Sequence, residues 1–541
     1  MPSMPPIRAF GRQLAWMLLL TLSTPARAAA QEDASAALMV HTGDGAVRGV
    51  AGNGVREFKG LPFAAPPVGA LRWELPAPVV PWTGVLDASR FRSACPQARR
   101  FGLTEASNDE DCLHLNVTTP LADGSRSRPV LVWFYGGQFV GGSTRLYPLD
   151  YLAREGDLVV VSVNYRLGPL GFMPHPAFGA DFNGGYALED QRQALRWVQH
   201  NIAAFGGDPG NVTIGGVSAG AASVCMHLFT PERTAGLFQR AIIQSAGCTT
   251  HLHTVSEASK TGLEVARLVG CGEPATALAC LRSKSAQDIV VAATTVAGTD
   301  VMTFSPSVGS KALPRQGAEA LASGNFVRVP IMNGGSRDEM RLYVGYEVAA
   351  GGVITRDTYP DRLRALYGDR ADTVLAAYPS DRYPSAPSAL GTVMSDFHPA
   401  VGLNNCLFLR TAWLASRWVQ VYEYEFADRE APPVMTDPGF EMGAVHTAEL
   451  PYQFPHFSNT SKLDGPDLAP SSQRLSAQMV AYWSSFARTG RPAARGLPEW
   501  LPFKTHNTAL RLKPGQLGMF DASAEHQCAL WERLYPEDLA R

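Results

Sequence analysis

The chain has 541 residues, of which 45% are hydrophobic, and a formal net charge of −2 at pH 7. This apolar share is that of a globular protein, and the near-zero charge argues against a nucleic-acid-binding protein, which usually carries a strong basic excess. No linker, charge block, repeat or low-complexity tract divides the sequence, so we expect a single domain over residues 31–541.

Residues 1–30 are typical of a secretory signal peptide. Arg8 and Arg12 precede an apolar run at 14–22, and small residues with an Ala-x-Ala pattern follow at 26–30. The run is short for a bilayer span, which makes a membrane anchor the weaker interpretation. We expect a mature protein that starts near Gln31, has no stable membrane span, and is secreted or periplasmic.

Apolar strand-like runs alternate with helical patterns, as in an α/β fold around a mostly parallel sheet. Buried parallel strands are nearly continuous apolar runs, and such runs lie at 130–134, 158–163, 212–214, 241–244, 329–332 and 418–426. Apolar residues recur every three or four positions over 188–205, which predicts a helix. We expect an antiparallel edge and loops up to Trp82, and helices and loops covering an active site over 341–399.

The motif Gly-x-Ser-x-Gly occurs at 216–220, with Ser218 at its centre. It follows a β-rich run at 211–214 and precedes small and apolar residues that favour a helix. A strand, a sharp turn and a helix are the context in which this serine becomes an exposed nucleophile. The motif alone also occurs by chance in Gly-rich chains, but its flanks make Ser218 a candidate nucleophile.

A Gly-rich turn, Tyr-Gly-Gly-Gln-Phe at 135–139, directly follows the predicted strand 130–134. We expect its backbone N–H groups, at Gly137 and Gln138, to form an oxyanion hole with the N–H of Ala219. The alternative is an ordinary Gly-rich turn. The place of the turn upstream of the serine favours the functional interpretation, because this is the order that the mechanism requires.

These segments resemble the type-B carboxylesterase family, which includes cholinesterases and some fungal lipases. The resemblance covers nearly the whole mature chain, and its matches are FGGDPGNVTIGGVSAG at 205–220, EDCLHLNV at 110–117, NYRLG at 164–168 and DQR at 190–192. It implies the α/β-hydrolase fold, with a large, mostly parallel central sheet flanked by helices. It also implies hydrolysis of small-molecule carboxylic esters through an acyl-enzyme, with no metal or organic cofactor.

The resemblance implies the other two members of a catalytic triad. The family's acid is a glutamate in a Lys/Arg-Asp-Glu segment, which corresponds here to Glu339, with Asp338 as the competing assignment. The family's histidine lies in a Gly-x-x-His segment with a glutamate three residues later, which corresponds to His446 and Glu449. In these roles His446 is the general base and Glu339 orients its imidazole. The order Ser, Glu, His agrees with α/β hydrolases.

The chain has eight cysteines, and export allows disulfides. Close spacing favours two bridges, and the resemblance implies these two and a third, while all eight reduced is the alternative. The expected bridges are Cys95–Cys112, Cys271–Cys280 and Cys406–Cys528, and Cys225 and Cys248 are expected to be free.

The chain departs from the family pattern at positions that bear on the substrate. Val217 stands where the family usually has a glutamate, which removes a carboxylate beside the nucleophile. Gln138 replaces a glycine of the oxyanion turn, so its backbone must tolerate a Cβ there. The segment between Cys95 and Cys112 contains no tryptophan. Cholinesterases place their choline-binding tryptophan in this segment, so cation–π recognition of a quaternary ammonium is not expected by that route.

Arg341 and Leu342 follow the acid, in a stretch that lines the gorge to the serine in the family. A partly desolvated arginine pairs well with carboxylates. With Val217, it favours neutral or anionic esters, including those of polycarboxylic acids, over choline esters. The alternative is that Arg341 points to solvent or pairs with a surface acid.

Two other functions remain open at this stage. An interfacial lipase is the first, and the short segment between Cys95 and Cys112 argues against the large lid that this activity needs. A catalytically inactive adhesion or binding protein of the same fold is the second, and the presence of Ser218, Glu339 and His446 argues against it. Oligomeric state is not determined by the sequence.

Overall fold

A computed structural model describes residues 38–99, 106–121, 127–298, 302–460, 462–504 and 508–540. The predicted signal peptide, residues 1–30, lies outside this described part. Within these ranges, no helix is both long and apolar enough to cross a membrane.

The strands, in chain order, are β1 Met39–His41, β2 Ala46–Arg48, β3 Val50–Gly52, β4 Val55–Pro62, β5 Val85–Asp87, β6 His114–Pro120, β7 Arg128–Phe134, β8 Val159–Val163, β9 Gly207–Val217, β10 Arg240–Gln244, β11 Ile331–Ser336, β12 Val421–Phe426, β13 Thr508–Leu512 and β14 Gly518–Asp521. The α-helices are α1 Asp150–Gly156, α2 Gly168–Phe172, α3 Tyr186–Asn201, α4 Ala219–Leu228, α5 Pro231–Thr234, α6 Val255–Leu268, α7 Ala277–Ser283, α8 Ala286–Ala297, α9 Gly317–Ser323, α10 Arg341–Ala349, α11 Tyr359–Tyr367, α12 Ala371–Ala377, α13 Ala386–Asp396, α14 Asn405–Ser416, α15 Pro470–Thr489, α16 Ala522–Glu525, α17 Cys528–Leu534 and α18 Pro536–Leu539.

An 11-stranded sheet forms the centre of the fold, in the order β14-β13-β12-β11-β10-β9-β7-β8-β6-β4-β3. Neighbouring strands between β8 and β13 are parallel, and the pairs at both edges are antiparallel. Helices α4, α14 and α15 pack against its strands, and β1, β2 and β5 form a separate small sheet. This architecture confirms the predicted α/β fold with a mostly parallel central sheet.

Every predicted strand is present, with differences at the ends. β11 continues to Ser336, beyond the predicted end at 332, because two glycines stay within the sheet instead of ending the strand. Gly334 is paired with Tyr424, and a Cβ at Gly334 would lie 2.1 Å from the carbonyl oxygen of Tyr424. The glycine thus allows close approach of two strands, a role that a pattern of apolar residues does not reveal.

The topology brings two of the predicted motifs to one edge of the sheet. Strand β7 lies between β8 and β9. The chain thus places β8 on one side of β7 and β9 on the other, so the direction of strand order reverses at β7. Ligands of open α/β sheets bind in the crevice at such a reversal, outside the carboxyl ends of the strands. The Gly-rich turn 135–139 follows β7 and Ser218 follows β9, so both lie at this crevice.

The structure contains four disulfides, Cys95–Cys112, Cys225–Cys248, Cys271–Cys280 and Cys406–Cys528. The expectation that Cys225 and Cys248 are free is therefore wrong. Their Cα atoms are 5.4 Å apart, within the range that a disulfide spans. Cys225 lies on α4, which follows β9, and Cys248 lies in the loop after β10. Because β9 and β10 are neighbours in the sheet, the two cysteines meet through the topology.

Thiol counting tests this pairing. Denatured but unreduced protein should show no cysteine that reacts with iodoacetamide, whereas all eight should react after reduction, since each is in a bridge. Mass spectrometry of a non-reducing digest should find the peptides of Cys225 and Cys248 linked. Alkylation confined to these two residues would contradict the fourth disulfide and leave the other three intact.

Candidate active site

Ser218 lies at the junction of β9 and α4 in a strained backbone conformation. Its φ is 57° and its ψ is −124°, a region that costs a residue with a side chain about 1–3 kcal/mol. Neighbouring hydrogen bonds hold it there: the N–H of Ser218 donates to the Gln244 carbonyl at 2.9 Å, and its own carbonyl accepts from Ala222 at 2.8 Å. The turn thus has the strand–turn–helix geometry expected of a nucleophile elbow.

Two glycines flank Ser218 where the turn touches β7. A Cβ on Gly216 would lie 2.7 Å from the carbonyl oxygen of Phe134, and one on Gly220 would lie 2.0 Å from the same atom. Real side chains do not fit at such distances, so the start of α4 can approach β7 only with glycine at both positions. This approach sets the spacing between Ser218 and the turn that follows β7.

The imidazole of His446 is hydrogen bonded to Glu339. Its Nδ1 lies 2.6 Å from a carboxylate oxygen of Glu339, and both side chains are buried. The other carboxylate oxygen accepts from the Ser245 hydroxyl and, at 2.7 Å, from the backbone N–H of Ser336. Glu339 follows β11 and His446 lies in the loop after β12, which are adjacent parallel strands.

Asp338, the competing candidate for the acid, has a different set of partners. Its backbone N–H donates to the Ala444 carbonyl at 2.8 Å, and its carboxylate accepts from the Ala444 N–H at 3.0 Å. Arg429 donates two further hydrogen bonds to this carboxylate. Asp338 therefore fixes the backbone two residues before His446, while the neighbouring Glu339 contacts the ring itself.

Two buried carboxylates act on the charge of the imidazole. Burial opposes its protonation, but the charge and hydrogen bond of Glu339 and the charge of Glu449 outweigh burial, so the pKa of His446 is raised above its ordinary value. Burial and the charge of Glu339 also raise the pKa of Glu449 to about 7. Glu449 contacts Gln244 and Ser336 at 3.3 Å each.

The turn after β7 also contains residues in the left-handed region. Gln138 has φ 56° and Phe139 has φ 62°. Both residues therefore carry a Cβ in a conformation that is free of strain only for glycine, and this lowers the local stability. Gly137 could not carry a side chain, because a Cβ there would lie 2.1 Å from the Gly141 carbonyl oxygen. Gln97 forms two hydrogen bonds with the backbone of Gly142, three residues beyond the turn, and so holds the chain that leaves it.

The three N–H groups predicted to form an oxyanion hole are available. In the described part of the chain, the N–H groups of Gly137 and Gln138 donate to no protein acceptor. Ala219 is the first residue of α4, where an N–H has no partner within the helix. All three residues lie beside Ser218, at the edges of the two cavities that meet there.

Two cavities meet at Ser218 and share Gln138 and Tyr343 in their walls. The smaller, of about 50 Å³, contains His446 in its wall together with Val217 and Leu342. The larger, of about 160 Å³, extends along α4 past Ala219 and is lined mainly by apolar side chains. We call them the His446 cavity and the α4 cavity.

Arg341 does not line either cavity. Its guanidinium is buried, lies 3.5 Å from Asp338 and 3.6 Å from Glu441, and donates to Thr392 at 2.9 Å. The expectation that Arg341 faces an anionic ester is therefore wrong. Of the alternatives, Arg341 does not point to solvent, and it pairs with the partly exposed Glu441 and also with the buried Asp338. As the first residue of α10, it is turned towards α13 and the loop before His446.

The sequence analysis missed several residues of the site. Ser245 supports Glu339, Tyr343 lies between the two cavities with its ring centroid 6.0 Å from that of His446, and Gln97 braces the turn. Ser245 directly follows β10 at the carboxyl edge of the sheet, which is the signal that could have identified it. Across the described ranges, no cluster of three or more His, Cys, Asp or Glu side chains could hold a metal ion.

Comparison with known proteins defines the class. The sequence model of the carboxylesterase family matches residues 36–531, so this chain belongs to that family. It is 34% identical to a fumonisin B1 esterase of Sphingopyxis macrogoltabida, with 91% of this chain and 89% of the relative covered. It is 33% identical to a para-nitrobenzyl esterase of Bacillus subtilis, with 85% and 91% covered. It is 32% identical to an acetylcholinesterase of Bungarus fasciatus, with 96% and 90% covered. The protein is a carboxylic ester hydrolase with the α/β-hydrolase fold. This class argues against the alternative of a catalytically inactive adhesion or binding protein.

The position of Arg341 gives a testable consequence. Arg341→Ala should lower the free energy of unfolding by about 3 kcal/mol, because it removes a buried cation from between two carboxylates. It should leave the preference between a carboxylate-bearing and a neutral ester unchanged. Arg429→Ala removes a partly exposed cation from the same Asp338 and should cost only about 1 kcal/mol. A changed ester preference in a variant of normal stability would contradict this assignment.

Proposed function

We propose that the protein hydrolyses carboxylic esters through an acyl-enzyme formed on Ser218. His446 acts as general base, and Glu339 is the triad carboxylate that orients its imidazole. The hydrogen bond of 2.6 Å between His446 Nδ1 and Glu339 carries this assignment, together with the cavity that His446 and Ser218 both line. With Nδ1 bonded to the carboxylate, the ring presents its other nitrogen for proton transfer.

The proposed reaction has two halves. His446 takes the proton of the Ser218 hydroxyl as this oxygen attacks the ester carbonyl, because a serine hydroxyl is a weak nucleophile at neutral pH. The N–H groups of Gly137, Gln138 and Ala219 hold the oxyanion of the tetrahedral intermediate, each worth about 2.7–4 kcal/mol. His446 then protonates the departing alcohol, and a water molecule repeats these steps on the acyl-enzyme.

The position of His446 distinguishes the two cavities chemically. The group that protonates the leaving alcohol must lie within hydrogen-bond reach of its oxygen, and His446 lines only the smaller cavity. The alcohol is therefore assigned to the His446 cavity, and the acyl group to the α4 cavity on the other side of Ser218.

The cavity walls favour a neutral ester. Among the described lining residues of both cavities, none is Asp, Glu, Lys or Arg, and Val217 contributes an apolar side chain beside the nucleophile. A charged acyl or alcohol group would lose its hydration there without a counter-charge, which costs far more than desolvating a neutral one. We therefore propose neutral esters with an apolar acyl group as substrates, in preference to choline esters and to polycarboxylate esters.

The proposal includes export to an oxidising compartment. Four disulfides support it, since such bonds form and persist mainly in secreted and periplasmic proteins. The sequence pattern of residues 1–30 points in the same direction.

Removal of the nucleophile tests the mechanism. Ser218→Ala should fold normally and keep less than about a thousandth of the wild-type rate on p-nitrophenyl butyrate, since only binding and the oxyanion donors remain. A matched control is Ser223→Ala, five residues further along α4, where the buried hydroxyl donates to the Ala219 carbonyl, accepts from Gln191 and lines neither of the two cavities at Ser218. Turnover by Ser218→Ala comparable to that of the control would refute the assignment.

The pH profile tests the base. Protonated His446 cannot accept a proton, so the rate should fall as pH drops through its pKa, which is raised and places the midpoint above about 6.5. Glu449→Gln removes a negative charge that favours the imidazolium, so its midpoint should move to lower pH. Glu441→Gln removes an acid contacting Arg341 and Arg429 and should leave the midpoint in place. A midpoint unmoved by Glu449→Gln would show that this carboxylate does not act on His446.

A further inference from the structure

One face of α4 leads from the nucleophile into the α4 cavity. Ala222, Cys225, Met226 and Phe229 follow Ser218 at helical spacing, and all of them line this cavity. Cys225 is seven residues beyond Ser218, which places it about 10 Å along the helix axis. Cys225 and its disulfide partner therefore form part of the wall midway along this helix face, and Phe229 lines the cavity about one turn further on.

Cys248 belongs to the loop that follows β10, and this loop is fixed at several points. Ser245, at its start, donates to Glu339. The N–H of Gly247 donates to the Gly402 carbonyl at 2.8 Å, and the N–H of Cys248 donates to the Thr411 hydroxyl at 3.0 Å. The disulfide joins this loop to α4, so it connects the helix that carries Ser218 with the loop that supports the acid.

The disulfide differs from its neighbours in the cavity wall. Met226, Met340 and Leu403 also line the cavity, and flexible or branched side chains of this kind can adopt other rotamers when a larger group enters. The two sulfur atoms of a disulfide cannot move independently, because the bond fixes their geometry. This part of the wall therefore yields least to an incoming group.

We propose that the Cys225–Cys248 disulfide determines substrate specificity by forming a rigid part of the wall of the acyl compartment midway along α4, and thereby limits the length of the acyl group. The inference rests on the proposed function, because it requires that the acyl group of the ester enters the α4 cavity. A short acyl group ends before the disulfide and does not sense it, whereas a long, linear apolar acyl group meets it.

A double variant tests the inference on p-nitrophenyl acetate, butyrate and octanoate, which share one alcohol. In Cys225→Ala/Cys248→Ala, the ratio of kcat/KM for octanoate to that for acetate should rise about tenfold, the scale on which pocket size discriminates apolar groups. Cys271→Ala/Cys280→Ala also removes a disulfide, but neither residue lines either cavity, and it should keep the wild-type ratio. An unchanged ratio in the first variant, or an equal change in both, would overturn the proposal.

A second variant keeps the disulfide and fills the same cavity. Ala222→Leu places a larger side chain between Ser218 and Cys225, so the octanoate-to-acetate ratio should fall about tenfold. If the double alanine variant does not fold, Cys225→Val/Cys248→Ala replaces it, since valine refills part of the lost volume, and a smaller rise is expected. An unchanged ratio in Ala222→Leu, or in the folded cysteine variant, overturns the proposal.

Two further measurements separate the possible failures. Acetate esters of short and long alcohols should show the same relative kcat/KM in wild type and in the cysteine variant, and a shifted alcohol preference would overturn the acyl assignment. If the wild type hydrolyses none of these esters in a Ser218-dependent manner, both the proposed function and the role of the disulfide are refuted. Ser218-dependent hydrolysis with an unaltered acyl ratio would refute only the role of the disulfide.

Discussion

The close approach of the start of α4 to the end of β7 is the constraint on which the rest of the site depends. A single carbonyl, that of Phe134, lies where a Cβ on either Gly216 or Gly220 would have to be. This contact places Ala219 beside the turn that contains Gly137 and Gln138, which are the residues of the proposed oxyanion hole. The proposed stabilisation of one oxyanion by donors from two separate elements therefore depends on the backbone contact that glycine permits.

The proposed triad members Glu339 and His446 are positioned by two neighbouring residues that make different contacts. Asp338 and Glu339 are adjacent in the chain, yet Asp338 bonds to the backbone of the loop before His446 and Glu339 bonds to the ring. Arg341 and Arg429 neutralise Asp338, so its buried charge is compensated without involving the imidazole. Arg341, which the sequence suggested as a substrate contact, therefore stabilises the loop that contains His446.

The sequence could predict the features that are encoded locally. The strands follow from continuous apolar runs, and Ser218, Glu339 and His446 each stand in a short motif with a recognisable context. The features that it missed depend on distant segments: Cys225 meets Cys248 because β9 and β10 are adjacent, and Arg341 turns away because Asp338, Thr392 and Glu441 surround it. Ser245 was missed for the same reason, since its partner Glu339 follows a different strand.

Val217 places an uncharged side chain directly before Ser218, so the charges that act on His446, the proposed base, come from other residues. Glu339 and Glu449 are the carboxylates whose charges raise the pKa of His446, and Glu449 itself binds a proton with a pKa of about 7. A proton on Glu449 removes a negative charge near the imidazole, so proton uptake by either group opposes proton uptake by the other. Two sites that interact in this way titrate over a wider pH range than a single group, and the macroscopic pKa values belong to the pair. With His446 as the proposed base, the pH at which activity is lost should therefore depend on His446 and Glu449 together, and Val217 adds no charge beside Ser218.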